Sequence, residues 1–576
     1  MLDKVIGEKR MKIAILDCYI DEPTCLGVPP YISPYPRYIA GAIWSVDKSI
    51  DVRYLTIDDL RKGTEKSKTI EEVEILVVIA GMIVPGKYLS TYPAHPKEIR
   101  RYLENLAKPV KILCGPAAIF GFGIGGGSRT RELGELFDFV VKGDPEIFIR
   151  DFLKEGESAD LYARRESAKE IGNFAIKGAE IVKQHQNYPD YLIAEIETYR
   201  GCPRSISGGC SFCAEPLKGL PDFRPEEGIV EEIRALYDNG VRHFRIGNQP
   251  CIFSYNAKDV GKEEFPRPNP EAIERLFKGI RKVAPNLKTL HIDNANPGVI
   301  AKYPEESKKI AKIICKYHTP GDVAAFGVES ADPKVIKENN LKAYPEDVIK
   351  AVEILNEVGG RRGYNGLPEL LPGLNFVFGL KGESKETFIH DFNLLKEILD
   401  RGLMIRRINL RQVIPLPGTK MYKVGEKIIK KHKEIFKRFK KRVREEIDRE
   451  MLKRILPHGT VMRDVYAEIH IGKITFARQL GSYPILVGIP GKLELNKFMD
   501  VKVIDYGYRS VTGIPYPLEI NKIPIDTLEA IPGIGRKRAL RIVRARPISG
   551  EDDLFKILDD ENMARRLIDL GISFVI

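Results

Sequence analysis

The sequence predicts an α/β protein. Its centre is a partial (β/α)6 TIM-like barrel, preceded by a doubly wound Rossmann-like domain and followed by a small β-barrel and a helical hairpin domain. Three observations carry this. Six buried-strand runs, at 192–198, 243–247, 289–293, 324–330, 375–380 and 407–413, follow one another, and helix-like segments such as 225–239 and 345–358 follow each of the first five; that alternation fits a parallel barrel. Before them, MKIAIL, ILVVIAGMIV, VKILCG and FDFVVKG alternate with helical stretches such as 96–106, the pattern of a parallel sheet covered on both faces. After them come short β-rich runs with Gly and Pro turns (AEIHIGKITFA, PILVGI, DVKVIDYG) and then helix again from 524.

The 576 residues suffice for three or four domains at roughly 150 residues each. The expected divisions are 1–155 for the Rossmann-like domain, 156–190 for a linker of mixed charge, 191–425 for the barrel, 426–457 for a basic helical segment, 458–518 for the small barrel and 519–576 for the hairpins. Apolar residues at 43% and charged residues at 30% exclude wholesale disorder. The longest apolar run, 75–84, is half of the roughly 20 residues a membrane span needs, so no membrane partner is expected. The opening MLDKVIGEKRMKIAIL lacks a signal-cleavage pattern, and a cytoplasmic protein is expected. GFGIGGG holds a G-x-G-x-x-G match at Gly121, Gly123 and Gly126, but it follows the fourth strand instead of the first, which favours a glycine loop over a dinucleotide site.

Lys and Arg number 92 against 80 Asp and Glu, a net of +12. Thirteen basic and five acidic residues fall in 427–454, so this helix alone carries +8. It reads either as a solvated face or as a surface for a polyanion.

Eight cysteines are too few for a disulfide scaffold of this size, and clustered ones point to metal or catalysis. In TYRGCPRSISGGCSFCAEP, directly after the first barrel strand, Cys202, Cys210 and Cys213 form C-x7-C-x2-C. Three thiolates on one loop can each ligate one iron of a [4Fe–4S] cube, leaving the fourth iron open to a small molecule. The same trio could hold zinc with a nearby histidine such as His243. Gly201, Gly208 and Gly209 let the backbone fold tightly there.

This loop is similar to that of the radical S-adenosylmethionine (radical SAM) superfamily, whose usual motif is C-x3-C-x-aromatic-C. Cys210-Ser211-Phe212-Cys213 matches its second half, while the first spacing is seven residues instead of three, so the inserted Arg-Ser-Ile-Ser-Gly-Gly must bulge out. Gly247-Asn248-Gln249-Pro250 stands where the family has Gly-Gly-Glu, which receives the cofactor's methionine amine. Phe326-Gly327-Val328-Glu329-Ser330 resembles GxES, and Glu329 and Ser330 would face the ribose or amino-acid moiety. Phe378-Gly379-Leu380-Lys381-Gly382-Glu383-Ser384 and PLPGTKMY at 415–422 resemble the segments after the fifth and sixth strands. The resemblance covers 192–422. It implies that Cys202, Cys210 and Cys213 are the metal ligands and the catalytic centre, with Phe212, Gly247, Asn248, Gln249, Glu329 and Ser330 around S-adenosylmethionine. It also implies an electron donor, whose electron cleaves the sulfonium to give methionine and a 5′-deoxyadenosyl radical.

The first 150 residues resemble the cobalamin-binding-like domain of many radical enzymes, through Gly27-Val28-Pro29-Pro30, 38–42, Cys114-Gly115-Pro116 and VVKGDPE at 140–146. A base-off cobalamin site uses D-x-H-x-x-G, and the loop here, Asp17-Cys18-Tyr19-Ile20-Asp21-Glu22, has no histidine; some relatives bind cobalamin without it. In a rival reading Cys18, Cys25 and Cys114 hold a second cluster, as in methylthiotransferases, although Ala80-Gly81-Met82 replaces the expected middle cysteine. A third reading leaves them as buried thiols.

LEAIPGIGRKRALRIVRARP resembles a helix-hairpin-helix. Gly533 and Gly535 would turn backbone N–H groups toward a phosphate at a helix N-terminus, with Lys537, Arg538, Arg541 and Arg544 adding charge. Asp552, Asp553 and Asp559–Glu561 would face elsewhere. The small barrel is similar to a TRAM domain, an RNA-binding module of tRNA-modifying enzymes. The expected function is radical chemistry that methylates or thiolates a nucleic acid, tRNA before DNA. The alternatives are a radical enzyme acting on a small molecule or protein, with the appendages as docking modules, and a non-catalytic iron–sulfur nucleic-acid-binding protein.

Overall fold

Five strands, β1 (Lys12–Asp17), β2 (Asp51–Thr56), β3 (Ile75–Ile79), β4 (Val110–Cys114) and β5 (Phe139–Val140), pair in parallel in the order β2-β1-β3-β4-β5. The structure, a computed structural model, describes residues 10–21, 26–83, 89–123, 125, 127–128, 133–558 and 560–575. Alternate side chains feed two cores. Ile13, Ile15, Val77, Ile112 and Cys114 pack in one, and Ala14, Leu16, Cys18, Val78 and Leu113 in the other. Strand order reverses between β1 and β3, where doubly wound sheets bind ligands.

Six further strands run parallel in sequence order: β6 (Ile193–Glu197), β7 (His243–Asn248), β8 (Thr289–Ile292), β9 (Asp322–Glu329), β10 (Leu370–Phe378) and β11 (Arg407–Gln412). β8 continues past Asp293 as Asn294–Ala295, which pairs with β9. Helices Glu226–Asp238, Pro270–Val283, Pro304–Tyr317, Pro345–Gly359 and Lys385–Asp400 intervene. Each presents an apolar stripe inward; in Pro270–Val283 it is Ala272, Ile273, Leu276, Phe277 and Ile280, with each large side chain worth about 1.5–3 kcal/mol on burial. β10 starts at Leu370 and not at 375. Pro372 and Gly373 read as a turn, yet the Pro372 carbonyl accepts from the Arg406 N–H at 2.8 Å, and a Cβ at Gly373 would crowd Val323 Cγ1 at 2.9 Å.

The barrel edge carries an unexpected addition. Tyr31–Ile32 pairs in parallel with β6, and helix α1 (Pro34–Val46) follows it. The first part of the chain thus lends the barrel a β/α unit before returning to its own sheet. Fully buried Arg37 on α1 bonds Glu232 and the Glu195 carbonyl, and Arg224 reaches the same Glu232 at 2.6 Å. Burial works against the Glu232 carboxylate, but Arg224 and Arg37 outweigh it and hold its pKa down.

Residues 156–190 are packed and are not a bare tether. Helix Ile171–Lys177 and the 3-10 turns Gly178–Gln184 bury Ile171, Phe174, Ala179, Ile181 and Val182; their charged residues concealed a short apolar period. A Cβ at Gly178 would overlap the Arg37 carbonyl, and one at Gly41 the Phe174 carbonyl. Gly178→Ala is therefore expected to destabilise by about 3 kcal/mol, the upper end for overpacking. A urea midpoint equal to the wild type's would show that these backbones have room to part.

The basic segment is helical in pieces, Lys427–Lys431, Lys433–Val443 and Arg449–Ile455 with a π turn between the last two. It breaks at His432, whose Nδ1 lies 2.8 Å from Glu383 Oε1. Phe439, Val443 and Ile447 face inward, while Lys430, Lys437, Lys440 and Lys441 are exposed.

Strands β12 (Val461–Ile471), β13 (Ile474–Gln479), β14 (Leu486–Pro490), β15 (Phe498–Tyr506) and β16 (Ser510–Tyr516) close a barrel in the order β12-β13-β14-β16-β15. Its loop between β13 and β14 enters the α/β barrel from the end where the strands begin. Ser482 N–H donates to His291 Nδ1 at 2.9 Å, Ser482 Oγ donates to the Ile292 carbonyl at 2.8 Å, and Tyr31 Oη donates to the Gly481 carbonyl at 2.7 Å. Two helix pairs follow, Ile525–Glu529 with Arg536–Arg544 and Glu551–Ile557 with Glu561–Asp569, around a core shared with the small barrel. Among the described residues, no helix is long and apolar enough to cross a membrane.

Candidate active site

The α/β barrel encloses a cavity of about 240 Å³ at the ends of its strands. Gly247 of β7, Glu329 of β9, Val377 of β10 and Arg411 of β11 line it, together with Phe212 from the cysteine loop and Lys342. Asp21 and Leu26, after β1, also reach it, so the first sheet contributes to the wall.

The cysteine loop is fixed by its glycines. A Cβ at Gly201 would overlap the Leu220 carbonyl, and one at Gly209 would overlap Pro216; both have positive φ, +85° and +62°. Cys202 N–H donates to the Gly219 carbonyl at 2.9 Å, and Cys213 N–H to the Cys210 carbonyl at 3.2 Å. Ser211 is clamped by Asn339, Oγ to Oδ1 at 2.7 Å. The inserted residues bulge out as expected at Ile206, Ser207 and Gly208, which are exposed, but their 3-10 turn, Pro203–Ser207, sends Arg204 inward. Arg204 is buried, and its Nη1 lies 3.1 Å from Cys210 Sγ while other guanidinium nitrogens meet Glu264 and Asn340. Sequence reading missed this cation because the insertion looked like slack.

Burial pushes the Cys202 thiol up to about 11 and the Cys213 thiol higher, so both hold their protons until a metal displaces them. Among the described residues, no three His, Cys, Asp or Glu side chains gather closely enough for one metal ion. His243 could not complete a zinc site: it opens β7, at the other end of the strand from Gly247, and bonds Thr289 Oγ1 at 2.8 Å.

Beside the cysteines stands a second cation that sequence reading missed. Lys342 Nζ is 3.4 Å from Glu329 Oε1. Burial works against its ammonium, but its charged neighbours, Glu329 first, outweigh burial and hold its pKa up. Burial raises the Glu329 pKa, against Lys342 and Arg411. Gly327 makes room for this pair, since a Cβ there would overlap Lys342 Nζ and Glu329 Oε1. Glu329 itself adopts φ +65° at a register shift in β9, a conformation a non-glycine residue rarely takes.

The other expected cofactor contacts divide. Gly247 lines the cavity, and a Cβ there would overlap Glu195 and Arg245. Asn248 Nδ2 donates to Glu197 at 3.1 Å. Gln249 is buried, accepting from Thr198 Oγ1 and donating to the Ile246 carbonyl. Ser330 is turned away toward Asp391, Oγ to Oδ1 at 3.1 Å. Neither Asn248, Gln249 nor Ser330 is among the cavity's lining residues. On the floor, Arg245 pairs with Glu195 and Asp293 at 2.6 Å each, and Tyr483 Oη donates to Asp293 at 2.7 Å. The small barrel therefore helps to seal the cavity from below.

Cys18 and Cys114 pack into opposite cores of the first sheet, which separates the two thiols; Cys25 and Gly126 lie outside the described residues. Tyr54 Oη donates to Asp17 at 2.9 Å, and a cobalamin over the switch point would have to bind without a histidine from the loop after β1.

At the hairpin, Gly533 has φ +95° and Gly535 precedes helix Arg536–Arg544. Both glycines and Lys537 are exposed, while Arg541 is half-buried. Arg538 is turned back: it pairs with Asp560 at 2.9 Å and donates to the Gly533 carbonyl at 2.8 Å. So Asp560, expected to face elsewhere, faces this helix, because its own helix packs across the turn.

Residues 196–395 match the radical SAM superfamily. The chain is 54% identical over 506 residues to an uncharacterized protein of Methanocaldococcus jannaschii, covering 87% of this chain and 92% of that one. It is 46% identical over 546 residues to an uncharacterized protein of Archaeoglobus fulgidus, covering 94% and 97%. A tRNA-2-methylthio-N(6)-dimethylallyladenosine synthase of Protochlamydia amoebophila is 23% identical over 210 residues, 36% of this chain and 41% of that one. The chain belongs to the radical SAM superfamily, enzymes that work with a [4Fe–4S] cluster and S-adenosylmethionine.

Proposed function

We propose that the chain modifies a nucleic acid, tRNA before DNA, by methylating or thiolating an unactivated carbon. Cys202, Cys210 and Cys213 would hold the cluster, and Phe212, Gly247, Glu329 and Lys342 would line the S-adenosylmethionine site. When bound, these groups supply a 5′-deoxyadenosyl radical. The chain's own part is to bind, aim and exclude water: Arg204 and Lys342 offset the charge of the thiolates, and the Arg245–Asp293–Tyr483 floor keeps solvent out.

The observation that carries the nucleic-acid reading is the open turn at 532–535. A Cβ at Gly535 meets nothing within 4 Å, so a phosphate can approach the backbone N–H groups at the head of a basic nine-residue helix. The exposed basic face of 427–454, the TRAM-like barrel and the likeness to a tRNA-modifying enzyme support the same reading. The Lys537→Ala/Arg541→Ala variant is expected to weaken tRNA binding and to lower the slope of log K against log salt by about 1–2, roughly one per lost phosphate contact. Arg538 is left intact because Asp560 holds it. Unchanged affinity and slope would move the reading to a protein or small-molecule substrate.

A further inference from the structure

A second cavity, of about 320 Å³, lies at the seam of the α/β barrel, between the start of β11 and the added strand Tyr31–Ile32. Helix Arg449–Ile455 and the small barrel close its other sides. Asp21, Leu26 and Tyr483 line both this cavity and the 240 Å³ one, so the two abut.

Its wall is basic. Arg406 is 8% exposed, and its Nε has neither solvent nor a hydrogen-bond partner. Among the described residues its guanidinium makes no ion pair. Arg407 is half-buried, its Nε is likewise unpartnered, and its guanidinium lies 4.3 Å from the centre of the Tyr483 ring. Arg509 stands exposed at the mouth. Of the other charged lining residues, Arg478 is held by Glu468 at 2.6 Å, Asp448 is paired with Arg444 and also acts on Arg509 and Arg407, and Asp21 acts on Arg407; none of these acids is a neighbour of Arg406. Burial, then Arg407 and Arg509, depress the Arg406 pKa to about 9. A chain rarely buries a cation without an anion beside it, because the desolvation goes uncompensated. Guanidinium forks match phosphate oxygens two at a time.

We propose that this seam cavity receives a phosphate group of the substrate, gripped by Arg406, Arg407 and Arg509, on the wall it shares with the reaction cavity through Asp21, Leu26 and Tyr483. Its meaning for the reaction rests on the function proposed above; its test does not.

Inorganic pyrophosphate, titrated into the full chain at constant ionic strength and followed by thermal unfolding, is expected to raise the midpoint saturably. Arg406→Met and Arg509→Ala are each expected to weaken that response about tenfold or more, the loss of one charge-assisted contact. Arg509 is exposed, so its variant tests the site even if Arg406→Met folds poorly. A short single-stranded RNA that competes with pyrophosphate would identify the phosphate as nucleic-acid backbone. Competition by a nucleoside monophosphate and not by RNA would assign it to a small substrate, keeping this site while overturning the nucleic-acid reading. No saturable response in the wild type, or a response in both arginine variants equal to the wild type's, would overturn the site.

Discussion

Replacing Cys210 with alanine is expected to bring 5′-deoxyadenosine formation by the anaerobically reconstituted, reduced protein down to background. That is a loss of more than about a thousandfold, or about 4 kcal/mol of barrier. Cys210 is buried against Val335, Leu380 and Met421, and alanine fills most of its volume, so the fold should survive. Iron content separates the outcomes. It should fall sharply in Cys210→Ala and be unchanged in Cys18→Ala and Cys114→Ala, whose thiols lie in opposite cores of the first sheet. Iron lost from the latter pair would revive a second cluster. Turnover that persists in Cys210→Ala would remove the reaction from this loop. Arg204 gives a finer reading. Its guanidinium stands 3.1 Å from Cys210 Sγ, so replacing it takes away a positive charge next to a proposed ligand and leaves that thiol in place.

The six barrel strands were legible because each is a buried parallel strand, and such strands read as apolar runs between helices. The cysteine trio was legible because its spacing is local. What escaped was non-local or short. Tyr31–Ile32 is two residues, and nothing in its composition says that it joins β6. Helix Ile171–Lys177 hid under charge. Ser330 follows Glu329 directly, but the chain turns at Glu329 with φ +65°, which sends the serine to Asp391 and away from the cavity. Lys342 reaches the cysteines from a loop more than a hundred residues downstream, and no periodicity marks it. The Tyr483 loop enters from a separate barrel, which read as an appendage when in fact it floors the site. Local pattern gave the elements; the contacts that build the cavity are set by which loops converge.

Lys342→Met tests that convergence. The ammonium is the near partner of Glu329, a carboxylate with 6% of its side chain exposed. Its loss leaves that charge with Arg411 as its remaining favourable neighbour. Breaking a buried pair from one side costs about 3–5 kcal/mol, and because Lys342 keeps some solvent contact, about 2–3 kcal/mol is the expectation. The double variant Lys342→Met/Glu329→Gln should recover most of it, because no buried charge is then left alone. The pH dependence has a definite sign. Burial holds the Glu329 pKa above its unfolded value, so in Lys342→Met the folded state keeps a proton that the unfolded state releases. Stability should be full below the ordinary carboxylate pKa and fall as pH rises through and above it. S-adenosylmethionine binding, read by equilibrium dialysis on the cluster-loaded protein, should weaken at least about tenfold, or 1.4 kcal/mol, in the single and the double variant alike. If binding returns with stability in the double variant, the pair is a structural brace; if it stays lost while the fold recovers, Glu329 and Lys342 are part of the site that receives the cofactor.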